Sequence, residues 1–152
     1  GKIAAFGISN VTVAQTRALA SFMPDALPLA TTQPELSALC LTTIEDGTLD
    51  LAMEHDLAVL AWSPLGGGRI AEPTNARERA VAAALDAVAH EHAVSRTAAA
   101  YAWVMAHPAR PIPIVGSQNA ARIAEAADAH KVRWTRESWY KVLVASRQEP
   151  LP

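Results

Sequence analysis

Four short apolar runs set the terms for this chain of 152 residues. They fall at positions 2–8, 29–33, 57–62 and 112–115. Each is long enough for one buried strand and too short for a buried helix. The intervals between them carry helix punctuation. Thr12, with Gln15 three residues on, forms a capping-box pattern, and Pro24 stops the helix that follows. That helix has Ala14, Leu19, Ala20 and Phe22 as its apolar surface. A second helix is expected over 45–54, with Leu49, Leu51, Ala52 and Met53 to bury. A long alanine-rich helix starts at Thr74 or Asn75 and runs to about His92. Ser95 caps the next, which Pro108 ends, Asn119 caps another that runs to about Ala129, and Thr135 caps the last, expected over 136–146. The order is β-α-β-α-β-α-α-β-α-α. Apolar strands alternating with helices imply a parallel sheet with right-handed crossovers, the α/β class.

Composition narrows the function classes. The chain is 51% hydrophobic and 18% charged with formal charge −2, so no basic face of the kind nucleic acid or anionic lipid demands is expected. Cys40 is the single cysteine, which excludes an internal disulfide and a CxxC metal pair. Among the five histidines, His90 and His92 are two apart on a helix and face different sides, so no metal site is expected. No apolar run reaches the roughly 18 residues of a membrane span. With no signal peptide before Gly1, the expectation is a cytoplasmic protein with one domain over 1–152 and no interdomain linker.

Four such strands make either a small open sheet or half of a (β/α)8 barrel. In both, polar residues just beyond the strand C-termini build the ligand site. Here those are Ser9-Asn10, Gln33, the segment from Trp62 to Leu65 and Gly116-Ser117-Gln118. The last is the most telling: Gly116 breaks the apolar run, Ser117 and Gln118 turn, and Asn119 opens a helix. A helix N-terminus can hold an anion. Arg122, in the first turn, opposes the dipole, which fits either a solvated surface residue or a bound phosphate. Trp62 by itself fits a core residue as well as a ligand platform, and Gly66 to Gly68 fit an ordinary loop. All of these positions fall at one end of successive strands, and that favours a common site.

Read together, the segments Phe6-Gly-Ile-Ser-Asn10, Thr32-Gln-Pro-Glu35, Ala61-Trp-Ser-Pro-Leu-Gly-Gly67 and Ile114-Val-Gly-Ser-Gln-Asn-Ala-Ala-Arg-Ile123 resemble the C-terminal half of the aldo-keto reductase family. The resemblance spans nearly the whole chain in the family's order. It implies four β/α units with extra helices, strands five to eight of a (β/α)8 TIM barrel, and an NADP cofactor. By that resemblance, Ser9, Asn10 and Gln33 bond the nicotinamide carboxamide and Trp62 stacks on the ring. Ser63, Leu65 and Gly66 lie along the pyrophosphate, Ser117, Gln118 and Arg122 hold the adenosine 2′-phosphate, and Glu125 contacts the adenine. Many family members carry lysine where this chain has Gly116, and others have glycine.

The family's catalytic tyrosine, lysine, aspartate and histidine come from the other half of its barrel. Neither Tyr101 nor Tyr140 follows a strand, and none of Lys2, Lys131 and Lys141 lies just beyond a strand C-terminus. No catalytic residue is therefore expected here. A half barrel has two unpaired edges, so the expected partner is a missing N-terminal half or a second copy in a homodimer. The start at Gly1, directly before a strand, reads as a cut in a longer chain. The competing function is a non-catalytic half barrel serving as a nucleotide-binding or interaction module.

Overall fold

Val59 and Ala61 decide which way the sheet faces. In the computed structural model, which describes residues 2–24 and 27–150, both are buried, at 1% and 0% exposure. They belong to β3 (Ala58–Ala61), which lies between β2 (Thr31–Gln33) and β4 (Ile112–Pro113), with β1 (Gly7–Ser9) outside β2. All pairs are parallel. Ser9 sits opposite Gln33, Thr32 opposite Val59, and Leu60 opposite Ile112. Residues in register share a face. Gly7, Thr31, Ala58, Leu60 and Ile112 are thus on one side, and Ile8, Thr32, Val59, Ala61 and Pro113 on the other.

Helices cover only the second side. Val59 and Ala61 share a core with Leu85, Trp103, Val104 and Val142, whereas Ala58 is exposed and Ile112 is 55% exposed. A doubly wound sheet carries helices on both faces, and a barrel wall carries them on one. The architecture is α/β, a parallel wall of four strands that matches part of a (β/α)8 barrel.

The helices are α1 (Val13–Phe22), α2 (Thr42–Glu45), α3 (Thr48–Glu54), α4 (Ala76–Glu91), α5 (Arg96–Met105), α6 (Ala120–Ala127) and α7 (Arg136–Arg147). The side chains of Thr12, Asn75, Ser95, Asn119 and Thr135 cap α1, α4, α5, α6 and α7, as the sequence predicts. On α4, Val81, Leu85 and Val88 follow one face into the core. Trp103 of α5 stacks on Trp139 of α7, with ring centroids 4.8 Å apart and planes 9° from parallel. Each indole N–H donates to the other residue's backbone carbonyl, at 3.1 and 3.0 Å. Two aromatic faces and two buried donors are satisfied by one pair.

Several expectations change. The helix expected over 45–54 starts only at Thr48, because Gly47 sits at φ +83° and the Asp46 carboxylate accepts from Thr48 N–H, and a separate single turn, α2, precedes it. The strands are shorter than their apolar runs. Residues 2–5 lie before the first ladder bond, Ala30 N–H to Phe6 C=O at 2.9 Å. At β4, Ile114 N–H still donates to Ala61 C=O at 2.8 Å, beyond the two residues of the strand proper. Phe22 is 86% exposed rather than buried, since α1 has only one core-facing side here and Thr16 is its buried residue. Gly1 lies outside the described residues.

Candidate functional site

Backbone strain marks the strand ends. Asn10, directly after β1, and Ser63, two residues after β3, hold φ of +54° and +50°. Non-glycine residues enter that left-handed region rarely, asparagine most readily, and Asp56, Ala93, Arg110 and Gln148, away from these turns, do so too. The two turns are tied together: Trp62 Nε1–H donates to Asn10 Oδ1 at 3.0 Å, across two intervening strands' worth of sequence. Ser9 Oγ–H donates to the Gln33 carbonyl at 2.8 Å. Thus Ser9, Asn10, Gln33 and Trp62 form one bonded edge. Trp62 is half-buried, with its backbone held by Pro34 C=O at 3.1 Å.

Beyond Trp62 the chain makes a 3-10 turn over Gly66–Gly68, all at positive φ (60°, 67° and 91°). Gly66 cannot be replaced freely: a Cβ there would lie 3.0 Å from Leu39 Cδ1. The loop that follows is pinned from below. Arg69 Nε–H donates to Gly66 C=O at 2.8 Å and its Nη1 lies 3.5 Å from Glu78. Glu78 Oε2 accepts from Thr74 N–H and Oγ–H at 2.7 and 2.8 Å. These bonds hold the buried Glu78 carboxyl below the usual carboxylate range, the Thr74 backbone N–H being the largest cause. Arg96 Nη1 donates to the carbonyls of Ile70 and Ala71, both at 3.2 Å, while its other nitrogens grip Asp86 at 2.7 and 2.6 Å.

This loop forms one wall of a groove of about 800 Å³. Among the sequence-predicted residues, Trp62, Ser63, Leu65, Gly116, Ser117, Arg122 and Glu125 line it. Gly66 is buried just beneath, and Ser9, Asn10 and Gln33 adjoin through the Trp62 bond. Gln118 is exposed and outside the lining. The α6 N-terminus is not the open anion cradle that the sequence suggests. Asn119 Oδ1 already accepts from Ala121 and Arg122 N–H, at 2.9 and 3.3 Å, and Ser117 Oγ accepts from Asn119 N–H at 3.1 Å. What remains for an anion is the Arg122 guanidinium, exposed and without a bonded partner among the described residues, and the Ser117 hydroxyl proton. Gly116 has φ outside the left-handed region, and a Cβ on it would meet nothing within 4 Å, so the backbone does not demand glycine there.

Sequence reasoning missed Thr97 and Tyr101 of α5 and Arg69 and Glu72 of the loop, all of which line the groove. Thr97 and Tyr101 are one helical turn apart, a same-face signal that could have been read once α5 was known to flank the strand ends.

The model of the Aldo/keto reductase family matches residues 1–143. The chain belongs to the aldo/keto reductase family. As a member, it is 59% identical over all 152 residues to a 6-dehydroglucose reductase of Novosphingobium aromaticivorans, covering 49% of that protein. It is 37% identical over 142 residues to a 6-dehydroglucose reductase of Agrobacterium fabrum, with 93% of this chain and 46% of that protein covered. It is also 36% identical, over its full length, to oxidoreductase YdhF of Escherichia coli, covering 50% of it. The crystal structure of a thermostable aldo-keto reductase, Tm1743, with the inhibitor epalrestat superimposes with a TM-score of 0.78 at 18% identity. That superposition covers 93% of this chain and 48% of the other. This aldo/keto reductase chain therefore spans about half the length of the relatives it matches. No helix among its described residues is long and apolar enough to cross a membrane.

Proposed function

We propose that this chain is the cofactor-binding portion of an NADPH-dependent, cytoplasmic carbonyl oxidoreductase, the C-terminal half of its barrel. One observation carries the reading. A single groove has in its wall both a half-buried indole, Trp62, and a guanidinium, Arg122, with no partner among the described residues. A flat ring and a phosphate are what those two groups would accept. The residues therefore fit a phosphorylated nicotinamide dinucleotide, which when bound supplies the hydride for carbonyl reduction. Trp62 would cover one face of the nicotinamide, its orientation fixed by the Asn10 bond. Asn10 keeps its amide N–H groups for the carboxamide, and Ser9 and Gln33 flank them. Ser63, Leu65 and Gly66 would follow the pyrophosphate, the positive-φ backbone giving close approach. Ser117 and Arg122 would take the 2′-phosphate, with Gln118 at the margin, and Glu125 the adenine.

Among the described residues, none of the tyrosines or of Lys131 and Lys141 offers a proton donor at the Trp62 edge. Tyr140 is on α7, packed edge-on against Trp139 at 5.3 Å, and Tyr101 is buried on α5. Lys131 and Lys141 are paired with Asp128 and Glu137, each at 2.7 Å. In this reading the proton comes from the complementary, catalytic half of the barrel, which a second copy of this chain could not supply. For the completed barrel, the names of the two reductases point to 6-dehydroglucose as substrate.

Calorimetric titration with NADPH and NADH tests the cofactor reading. Arg122→Ala should weaken NADPH by about 1.5 kcal/mol, roughly tenfold, the low end for a charge-assisted contact because the guanidinium is exposed. NADH should be little affected. Trp62→Ala should weaken both alike. Equal losses for the two cofactors in Arg122→Ala would remove Arg122 from the 2′-phosphate, and no binding of either by the unmodified protein would end the reading.

A further inference from the structure

Arg77 stands where a cation is least favoured, at the second residue of α4 and so at the positive end of the helix dipole. Among the described residues no carboxylate pairs with it. Its half-buried guanidinium reaches neutral oxygens from two distant parts of the chain instead. Nε–H donates to Ser146 C=O at 2.6 Å, while Nη2 donates to Ser146 Oγ at 3.0 Å and to Leu39 C=O at 2.8 Å. The Ser146 bonds have a plain structural use, since that carbonyl lies in the last turn of α7, where carbonyls lack helical partners. The bond to Leu39 does something else. Leu39 is held at both backbone groups, its N–H by Ser37 Oγ at 3.2 Å and its C=O by Arg77. Ser37 and Cys40 close the turn around it with paired backbone bonds of 3.3 and 3.1 Å. Its side chain, buried, lies against Gly66: a Cβ on that glycine would be 3.0, 3.5 and 3.6 Å from Leu39 Cδ1, Cβ and Cγ.

We propose that Arg77 is a positioning residue for the groove: by fixing Leu39 it sets the height at which the Gly66 turn meets the pyrophosphate of the cofactor. The inference rests on the nucleotide reading of this groove and adds to it a support that never touches the ligand. A close-packed interior transmits a displacement from one side chain to the next, so freeing the Leu39 carbonyl moves the floor under Gly66. Arg69 holds the Gly66 carbonyl at 2.8 Å, and Leu39 fills the space beside its Cα, so the turn is fixed by two independent contacts. None of these contacts involves Ser117 or Arg122, and the 2′-phosphate end of the groove is independent of them.

The probes are NADPH, titrated by calorimetry, and adenosine 2′-monophosphate, which carries no pyrophosphate and is read by its displacement of NADPH. Arg77→Met keeps the stem and deletes the donors. It should weaken NADPH about three- to tenfold, the worth of one hydrogen bond to the cofactor, and leave the affinity of the monophosphate unchanged. Ser146→Ala removes one bond to Arg77 but not the Leu39 bond, so both probes should bind it as they bind the unmodified protein. A merely structural role would move both probes together or neither. Thermal melts establish that each variant is folded at the titration temperature. Where Arg77→Met is not, Arg77→Lys, which keeps the charge beside α7 but loses the fork, should give the same split. Equal losses for the two probes, no loss for either, or a loss in Ser146→Ala matching that of the arginine variant would overturn this inference alone. If the unmodified protein did not bind NADPH, the nucleotide reading itself would fall.

Discussion

Two glycines of the site show how differently the same residue can be constrained. Gly66 is forced: it has positive φ and Leu39 crowds the space where a side chain would begin. Gly116 is free, with open space around it, and it adjoins Ser117 in the wall that also holds Arg122. A lysine fits at Gly116, and its ammonium would add to the field of Arg122 at the same anion. Gly116→Lys should therefore tighten NADPH by about 1 kcal/mol, about fivefold in Kd, the upper value for an exposed pair. NADH should change less than twofold on the same grounds. Parallel gains for both cofactors would mean that the new cation reads the pyrophosphate or acts non-specifically. At this scale the sequence was informative where chemistry shows in residue type. Trp62, Ser117 and Arg122 stand out beside a strand end, and all three line the groove. Tyr101 did not stand out, because an aromatic in an apolar helix reads as core, and by its packing it is core.

Among the elements, the segment between the 3-10 turn and α4 has the most to lose. It lacks regular structure apart from that turn, and side chains fix its shape: Arg69 and Glu78 at one end, Arg96 with Asp86 near its middle. Glu78 joins the two ends, since it bonds Thr74 and lies against Arg69, which bonds Gly66. Its folded-state pKa is held below the ordinary 4.5, so the unfolded chain takes up the proton first as pH falls. The contribution is complete above about 4.5 and is lost as pH drops through the lower folded value. Thermal melts of the native protein and Glu78→Gln should differ most at neutral pH, with the variant less stable. The two curves should converge in acid. A constant offset across the acid range would show that Glu78 acts there without its charge. Helix positions were legible because caps are local: Thr12, Asn75, Ser95, Asn119 and Thr135 each bond a backbone N–H within three residues. The break at Gly47 and the short strands were not, because glycine in a turn and a missing neighbour are matters of tertiary context.

For the whole molecule, the decisive asymmetry is between the two faces of the sheet. The helix-covered face is closed around Val59 and Ala61, while the opposite face exposes Ile112 at 55% and Ile114 at 37% beside half-buried Leu60. Both outer strands, β1 and β4, also keep one edge without a strand partner among the described residues. An open edge next to an apolar face promotes association. Two walls of four strands would close an eight-stranded ring, in which the apolar face becomes the packed interior. The 152-residue chain on its own should therefore sediment as a concentration-dependent dimer or larger species. Ile112→Lys should shift it toward monomer, since a charge would then have to enter the closed interior. Because Ile112 is mostly exposed in the single chain, that substitution should change monomer stability by less than about 0.5 kcal/mol. Adding a polypeptide that carries the complementary half barrel should replace self-association with a one-to-one complex. A monomer at every concentration, with a cooperative melt and no response to Ile112→Lys, would mean that the open face is stable in water and needs no cover.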